Sequence, residues 1–271
     1  MPTLPTVDVV VPCYNYARYL PQCVNSVLTQ PGVEVRVTVI DDCSSDESAE
    51  VAARLALDDS RVRFVLHEVN RGHLATYVEG LDAATADYVV LLSADDLLTP
   101  GALGRATGLM QAHPNVGFVY GYPIPLYDAQ LPAARTRSRG WSVRPGRDWI
   151  ANMCESGRNL INCPEVVMRT SVQHAIGHFS PTLPHSGDME MWMRAAAVAD
   201  VGHLRGVDQA YYRIHNRSMQ RTTHAGFLVD LKGRLAAFES AFAGGASRVA
   251  GAPQLLATAR RALAIEAVER A

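Results

Sequence analysis

Apolar positions in the first half of the chain come in short runs separated by helical stretches. Val7–Pro12 (VDVVVP) is a brief apolar run closed by proline, the pattern of a buried strand. Between Ala17 and Thr29, Leu20, Val24, Val27 and Leu28 recur at helical spacing, and Pro31-Gly32 ends that helix. Val33–Ile40 alternates and then turns apolar, which predicts a second strand. Ser45 or Asp46 is expected to cap a helix reaching about Leu57. Val62–Leu66 reads as a third strand, His73–Ala83 as a helix and Tyr88–Leu92 as a fourth strand. Gly101–Ala112 reads as a helix stopped before Pro114, and Val116–Tyr120 as a fifth strand. This alternation predicts βαβ units and an α/β fold with a mainly parallel sheet. Ligands on such sheets bind beyond the carboxyl ends of the strands.

After residue 120 the pattern changes. Residues 121–146 hold Pro123, Pro125, Pro132 and Pro145 together with Arg135, Arg137 and Arg139, and read as a long irregular excursion. Mixed structure returns over 147–215, with helices expected near Arg147–Glu155 and Asp188–Ala199. Residues 226–244 and 253–270 read as two terminal helices around Gly244-Gly245. Phe227, Leu231, Leu235 and Phe238 form an apolar stripe on the first of them. The expected organisation is a main domain over 1–225 and a helical extension over 226–271. That extension would either pack on the domain or form a homodimer contact.

Composition narrows the function. Of 271 residues, 48% are apolar and 19% charged, which fits a globular fold rather than disorder. Lys+Arg is 25 and Asp+Glu is 27, so there is no net positive field for a nucleic-acid backbone. Lys232 is the only lysine, which argues against a P-loop or a Schiff-base mechanism. The cysteines, Cys13, Cys23, Cys43, Cys154 and Cys163, are odd in number and lack C-x-x-C spacing. They read as reduced thiols of a cytoplasmic protein. Met1–Asp8 has no signal-peptide pattern, and no apolar run is long enough for a transmembrane segment.

Polar residues gather where the strands end. Tyr14-Asn15 follows the first strand, Asp41-Asp42 the second and Asp95-Asp96 the fourth. Tyr14 offers an aromatic face, and Asn15 both donates and accepts hydrogen bonds. A carboxylate at Asp41 or Asp42 suits a base edge or a ribose hydroxyl, although the same residues could simply turn the chain. The adjacent carboxylates of Asp95 and Asp96 repel and call for a cation, for which Mg²⁺ with phosphate oxygens is suited. Asp188 opens a helix, as an N-cap or as a functional carboxylate, and His215 ends the run YYRIHNRSM as a metal ligand, phosphate donor or surface residue.

Together these pieces resemble the family-2 glycosyltransferases of the GT-A fold. The resembling elements are Pro12-Cys13-Tyr14-Asn15, Val39–Asp46 (VIDDCSSD), Asn70-Arg71-Gly72, Ser93–Asp96, Gly187-Asp188 before Met191–Arg194, and Tyr212–His215. They follow in family order over about residues 6–220. Ser93 stands where the family motif usually opens on Asp, and Gly187 where Glu usually precedes the base. The resemblance implies a GT-A fold with a C-terminal helical extension, acting as an inverting glycosyltransferase. Its donor would be a nucleotide-diphosphate sugar, UDP- or TDP-linked, and its acceptor the hydroxyl of a small molecule or glycan. It implies that Pro12, Tyr14, Asn15, Asp41, Asp42, Asn70, Gly72 and Asp95 hold the nucleotide sugar. Asp95, Asp96 and His215 would hold Mn²⁺ or Mg²⁺, and Asp188 would be the catalytic base. The alternative is a non-catalytic nucleotide-sugar-binding or scaffold protein. A nucleotidyltransferase or a dehydrogenase would need a glycine-rich loop after the first strand, where VVVPCYNY stands.

Overall fold

The computed structural model describes residues 3–127, 130–183, 186–215 and 226–270. The first half contains β1 (Thr6–Cys13), α1 (Leu20–Leu28), β2 (Glu34–Asp41), α2 (Ser48–Asp58), β3 (Val62–Leu66), α3 (His73–Asp82) and β4 (Tyr88–Leu91). Then come β5 (Leu97–Leu98), α4 (Ala102–Ala112), β6 (Val116–Leu126), β7 (Trp141–Arg144), α5 (Gly146–Ser156), β8 (Val167–Arg169) and α6 (Thr170–Ile176). The chain continues through α7 (Gly187–Ala196), β9 (Asp200–Arg213), α8 (Phe227–Ala243), a 3-10 turn (Gly245–Arg248) and α9 (Ala252–Glu269).

The sheet order is β3-β2-β1-β4-β8-β6-β9-β5, and β7 pairs with β9 on the flank opposite β6. The long ladders β1–β2, β2–β3, β1–β4 and β6–β9 are parallel. Short antiparallel ladders join β8 to β4 and β6, and set β5 and β7 on β9. Helices cover both faces, which is why β1 reads as nearly continuous valine. Val7, Val9 and Val11 face the core beneath α1 and α4, and Val10 faces the core that includes Phe118, Trp149 and Phe238. A Cβ on Gly80 would meet Val10 Cγ1 at 2.1 Å, so glycine lets α3 lie directly on β1.

The first four strands fall where the apolar runs place them. The excursion does not. β6 continues through Pro123 and Pro125 to Leu126, and Trp141–Arg144 forms β7. The prolines are tolerated because β6 pairs with β8 only at Phe118 and Val119. Beyond them one side of β6 needs no ladder N–H, and register shifts near Tyr122 absorb the misfit to β9. Nor does Ser45 or Asp46 cap α2. The helix starts at Ser48, and Asp46 Oδ1 accepts from the Ser48 N–H at 3.0 Å just outside it.

The terminal helices lie on the second face, α8 against α7 and α9 against α5. Phe238 is fully buried, while Leu231 and Leu235 pack at the edge of that core. Arg234, 5% exposed, joins the two helices to the domain. It donates to Asp230 (2.8 Å), to Glu266 (2.8 Å) and to the carbonyl of Gly157 (2.6 Å). Among the described residues no helix is long and apolar enough to cross a membrane.

Candidate active site

Two adjoining cavities open at the carboxyl ends of the parallel strands. The first, about 450 Å³, is lined by Pro12, Tyr14, Asn15, Asp42, Asn70 and Gly72, with α3 contributing Thr76 and Tyr77. Tyr14 is 48% exposed, so one aromatic face is open. Asn15 sits at φ +60°, a conformation asparagine tolerates because its side chain bonds locally. Its Oδ1 accepts from the N–H groups of Ser45 (2.8 Å) and Asp46 (3.3 Å), which clips the β2–α2 loop to the end of β1.

The two aspartates after β2 divide their work. Asp41 is completely buried and accepts from Ser44 N–H (2.9 Å) and Ser44 Oγ (2.5 Å). It holds the loop and does not line the cavity. Asp42 Oδ1 meets His67 Nδ1 at 2.7 Å and accepts from Arg71 N–H at 2.8 Å, and Oδ2 accepts from Gly72 N–H at 2.8 Å. Burial raises its pKa, but these hydrogen bonds outweigh it and the net direction is down, so the carboxylate stays ionised. Asn70 Nδ2 donates to the Asp42 carbonyl at 3.1 Å, and Gly72 at φ +82° carries the chain into α3.

His67 was not among the residues singled out from the sequence. It is buried, and its Nε2 lies 3.1 Å from Glu79 of α3, so it ties Asp42 to that helix. The available signal was position: His67 directly follows β3, as Tyr14 follows β1.

The second cavity, about 170 Å³, shares Tyr16, Tyr77 and Ser93 with the first and is lined by Asp95, Asp96, Asn162, Cys163, Tyr212 and Arg213. The Ser93–Asp96 turn is closed by Asp96 N–H donating to the Ser93 carbonyl at 2.9 Å. Asp95 Oδ2 lies 2.9 Å from His215 Nε2, and Asp96 Oδ1 accepts from the Arg213 N–H at 2.8 Å. Arg213 donates its Nε to the Asp95 carbonyl at 2.7 Å, and its guanidinium stacks over Tyr19 at 4.4 Å. Arg213, inside the Tyr212–His215 motif but given no role from it, thus holds the turn that carries both carboxylates.

Burial, and then the charge of Asp95, push the Asp96 carboxyl well above its ordinary range. A buried carboxylate pair of this kind ionises comfortably only beside a counter-charge. Among the described residues Asp95 Oδ1 and Asp96 Oδ2 make no hydrogen bond, so each offers a hard oxygen donor of the sort Mg²⁺ and Mn²⁺ accept. No group of three or more His, Cys, Asp or Glu with metal-holding geometry is present among the described residues. A cation here therefore needs phosphate or water oxygens as well.

Asp188 is the second residue of α7, with Ser186 in the cap position, so it is not the N-cap. Its Oδ2 accepts from Asn159 Nδ2 at 3.0 Å and its Oδ1 from the Met189 N–H at 2.8 Å. Burial first, and then Asp188 and Asp96 among other charges, raise the pKa of Cys163 and Tyr212. Both residues line the second cavity, whereas Asp188 itself lines neither of the two cavities. Glu165, also not foreseen, is 2% exposed. Its Oε1 accepts from Asn162 N–H at 2.8 Å, while Oε2 has no partner. Burial pushes its carboxyl up to about 7, with Asp188 adding to the rise.

The geometry can be set beside known proteins. Residues 8–170 match the model of glycosyl transferase family 2. An uncharacterized glycosyltransferase of Nostoc sp. is 32% identical over 114 residues, 42% of this chain and 35% of the relative. An uncharacterized Mycobacterium tuberculosis protein is 28% identical over 214 residues, 74% of this chain and 66% of the relative. The match thus spans about a third of the Nostoc relative's length. Staphylococcus aureus TarS 1–349, solved in complex with UDP-GlcNAc, superposes with a TM-score of 0.71 at 17% identity, covering 93% of this chain and 70% of TarS 1–349. The mannosyltransferase PcManGT of Pyrobaculum calidifontis, solved with GDP-Man and Mn²⁺, gives 0.64 at 20% identity, covering 98% of this chain and 76% of PcManGT. The fold is the GT-A fold of these transferases.

Proposed function

The chain belongs to glycosyl transferase family 2, and from that premise we propose that it transfers a sugar from a nucleotide-diphosphate donor to an acceptor hydroxyl with inversion. The observation that carries the reading is the junction of the two cavities. A space with an open aromatic wall and an ionised Asp42 runs into a buried carboxylate pair beyond the strand ends. In this reading Tyr14 stacks on the base and Asp42 accepts from the base or the ribose. Asn15, Asn70 and Gly72 keep that wall in place, and Pro12 forms its floor. Asp41 supports the wall from behind.

Asp95 and Asp96 would hold Mn²⁺ or Mg²⁺, which when bound neutralises the diphosphate leaving group. His215, packed edge-on against Tyr16 with ring centroids 5.8 Å apart, orients Asp95. Asp188 takes the proton of the attacking hydroxyl, and the Asn159 amide fixes its carboxylate. Attack opposite the leaving diphosphate inverts the anomeric centre. The reading places the enzyme in the cytoplasm, and the buried thiols of Cys13, Cys23 and Cys154 suit a reducing compartment.

The test is a thermal-shift series with UDP, TDP and GDP, with and without Mn²⁺, followed by transfer assays with the sugar nucleotides of the stabilising base. A ligand at 100 times its Kd stabilises by about 2.7 kcal/mol, a readily measured rise in Tm. Absence of a shift with every nucleotide and Mn²⁺ would sink the proposal.

A further inference from the structure

The segment between β6 and β7 takes no part in the two cavities. From Gln130, on through β7, to Arg147 runs a stretch with five arginines and no acid, in a chain whose formal charge is −2. Asp128 and Asp148 bound it in sequence. Two of the arginines are committed, Arg135 to Asp208 and Arg147 to Asp148 and the carbonyl of Ala250. Arg137 and Arg139, and Arg205 on the facing part of β9, are exposed and make no side-chain hydrogen bond or ion pair among the described residues. Arg139 and Arg205 meet in one short ladder: Arg139 N–H donates to the Arg205 carbonyl at 2.9 Å, and Arg205 N–H to the Gly140 carbonyl at 3.0 Å.

Apolar side chains share this surface. Tyr127 is 67% exposed, Leu131 41% and Trp141 42%. The Trp141 indole is fixed by donating to His113 at 3.1 Å, and the segment is fastened where the Tyr211 hydroxyl donates to the Pro132 carbonyl at 2.9 Å. Apart from Ala134, every residue from Gln130 to Trp141 is exposed. Such a run forms an outward ridge, which suits a broad flat partner better than a threaded polymer. Uncompensated guanidinium groups beside exposed Trp, Tyr and Leu match the chemistry of a bilayer interface. Arginine pairs with phosphate there, and aromatic rings settle among the headgroups.

We propose that this ridge docks the protein on an anionic phospholipid surface. The ridge leaves the sheet at the rim of the candidate site. Tyr127 follows Leu126, whose carbonyl accepts from Ile214 N–H at 2.9 Å, next to His215. A bilayer held by the ridge lies beside that rim, where acceptors anchored in the membrane would arrive. Docking itself does not depend on the sugar-transfer reading, and its test uses no turnover.

The experiment is co-sedimentation with vesicles of pure phosphatidylcholine and of phosphatidylcholine with 30% phosphatidylglycerol. Wild type should bind only the anionic vesicles and release as salt is raised. Each arginine near such a surface contributes about 1 kcal/mol, or roughly fivefold in partition. R137Q/R139Q should therefore bind about 25-fold more weakly at unchanged Tm, since neither side chain has a partner to lose. Tyr127→Ser/Leu131→Ser should also bind more weakly, because part of the attraction is apolar. The proposal fails if wild type ignores anionic vesicles, or if R137Q/R139Q binds them like wild type. It also fails if the Tyr127/Leu131 variant keeps full vesicle binding while wild type binds soluble heparin as tightly, because the ridge is then a general polyanion site.

Discussion

Glu165 is a buried acid whose burial has a calculable cost. Its carboxyl is 2% exposed, with one oxygen bonded to the Asn162 N–H and the other without a partner. Burial, reinforced by Asp188, lifts its pKa from 4.5 to about 7. At about 1.36 kcal/mol per pH unit, that difference corresponds to roughly 3 kcal/mol between the two protonation states. Because the folded-state value is raised, the folded protein holds this proton more tightly than the unfolded chain does. The associated stability is fully present below pH 4.5 and is lost as pH rises through about 7. Glu165→Gln is nearly isosteric and cannot ionise. Other titrating groups are common to both proteins and largely cancel in the difference. Relative to wild type, Glu165→Gln should gain about 3 kcal/mol between pH 4.5 and pH 8, a relative Tm rise of about 5 °C at this chain length. Urea unfolding of both proteins at half-unit pH steps measures it. A difference that stays flat over pH 4.5–8, or grows toward acid, would refute the reasoning.

Other expectations follow from the same geometry. EDTA should abolish transfer and Mn²⁺ restore it, and Asp96→Asn should lose most turnover with its fold intact; full activity of that variant in EDTA would rule out the metal role. Asp188→Asn should fall by about 10²–10⁴-fold in transfer rate while nucleotide binding, followed by thermal shift, persists. Asn159→Ala should lower kcat more than KM, and equal activity of Asp188→Asn and wild type under chemistry-limited conditions would remove Asp188 as the base. Arg234→Met removes the bonds to Asp230, Glu266 and the Gly157 carbonyl while Arg158 and Arg270 stay within 3.5 Å of Glu266, and should cost about 1–3 kcal/mol in urea unfolding, which an unchanged stability would contradict. Asp41→Asn should chiefly lower stability, by about 1–3 kcal/mol, whereas Asp42→Asn should chiefly weaken nucleotide binding in a titration. The reverse assignment would exchange their roles.

What the sequence could and could not show follows from the range of the interactions. Strand ends were legible because apolar runs stop where the chain meets solvent, so Tyr14, Asp42 and Asp95 were found at the rim. β6 beyond Tyr120 was hidden because Pro123 and Pro125 argue against a strand unless one side is known to lack a neighbour, and that is a property of the sheet. His67 and Glu165 were hidden for a related reason. Their significance lies in pairing, with Asp42 and Glu79 in one case and with a missing partner in the other. Neither is visible in local composition.

The choice between Asp41 and Asp42 shows how far local information reaches. Side chains alternate along a strand, so the parity of a residue assigns its face. On β1, Val9, Val11 and Cys13 join one core, and Val10 joins the other. On β2, Val37 and Val39 join the first core and Ile40 the second. Carried one step past each strand, the same parity sends Pro12, Tyr14 and Asp42 toward the face covered by α3, where the larger cavity lies. It sends Asp41 to the opposite face, against the loop that contains Ser44. The cavity is therefore a property of one face at the carboxyl edge. α3 closes it because Gly80 lets the helix lie on Val10, which brings Thr76 and Tyr77 over the gap. A side chain at Gly80 would lift α3 and widen the cavity by pressing on Val10 and Ile40, neither of which lines it.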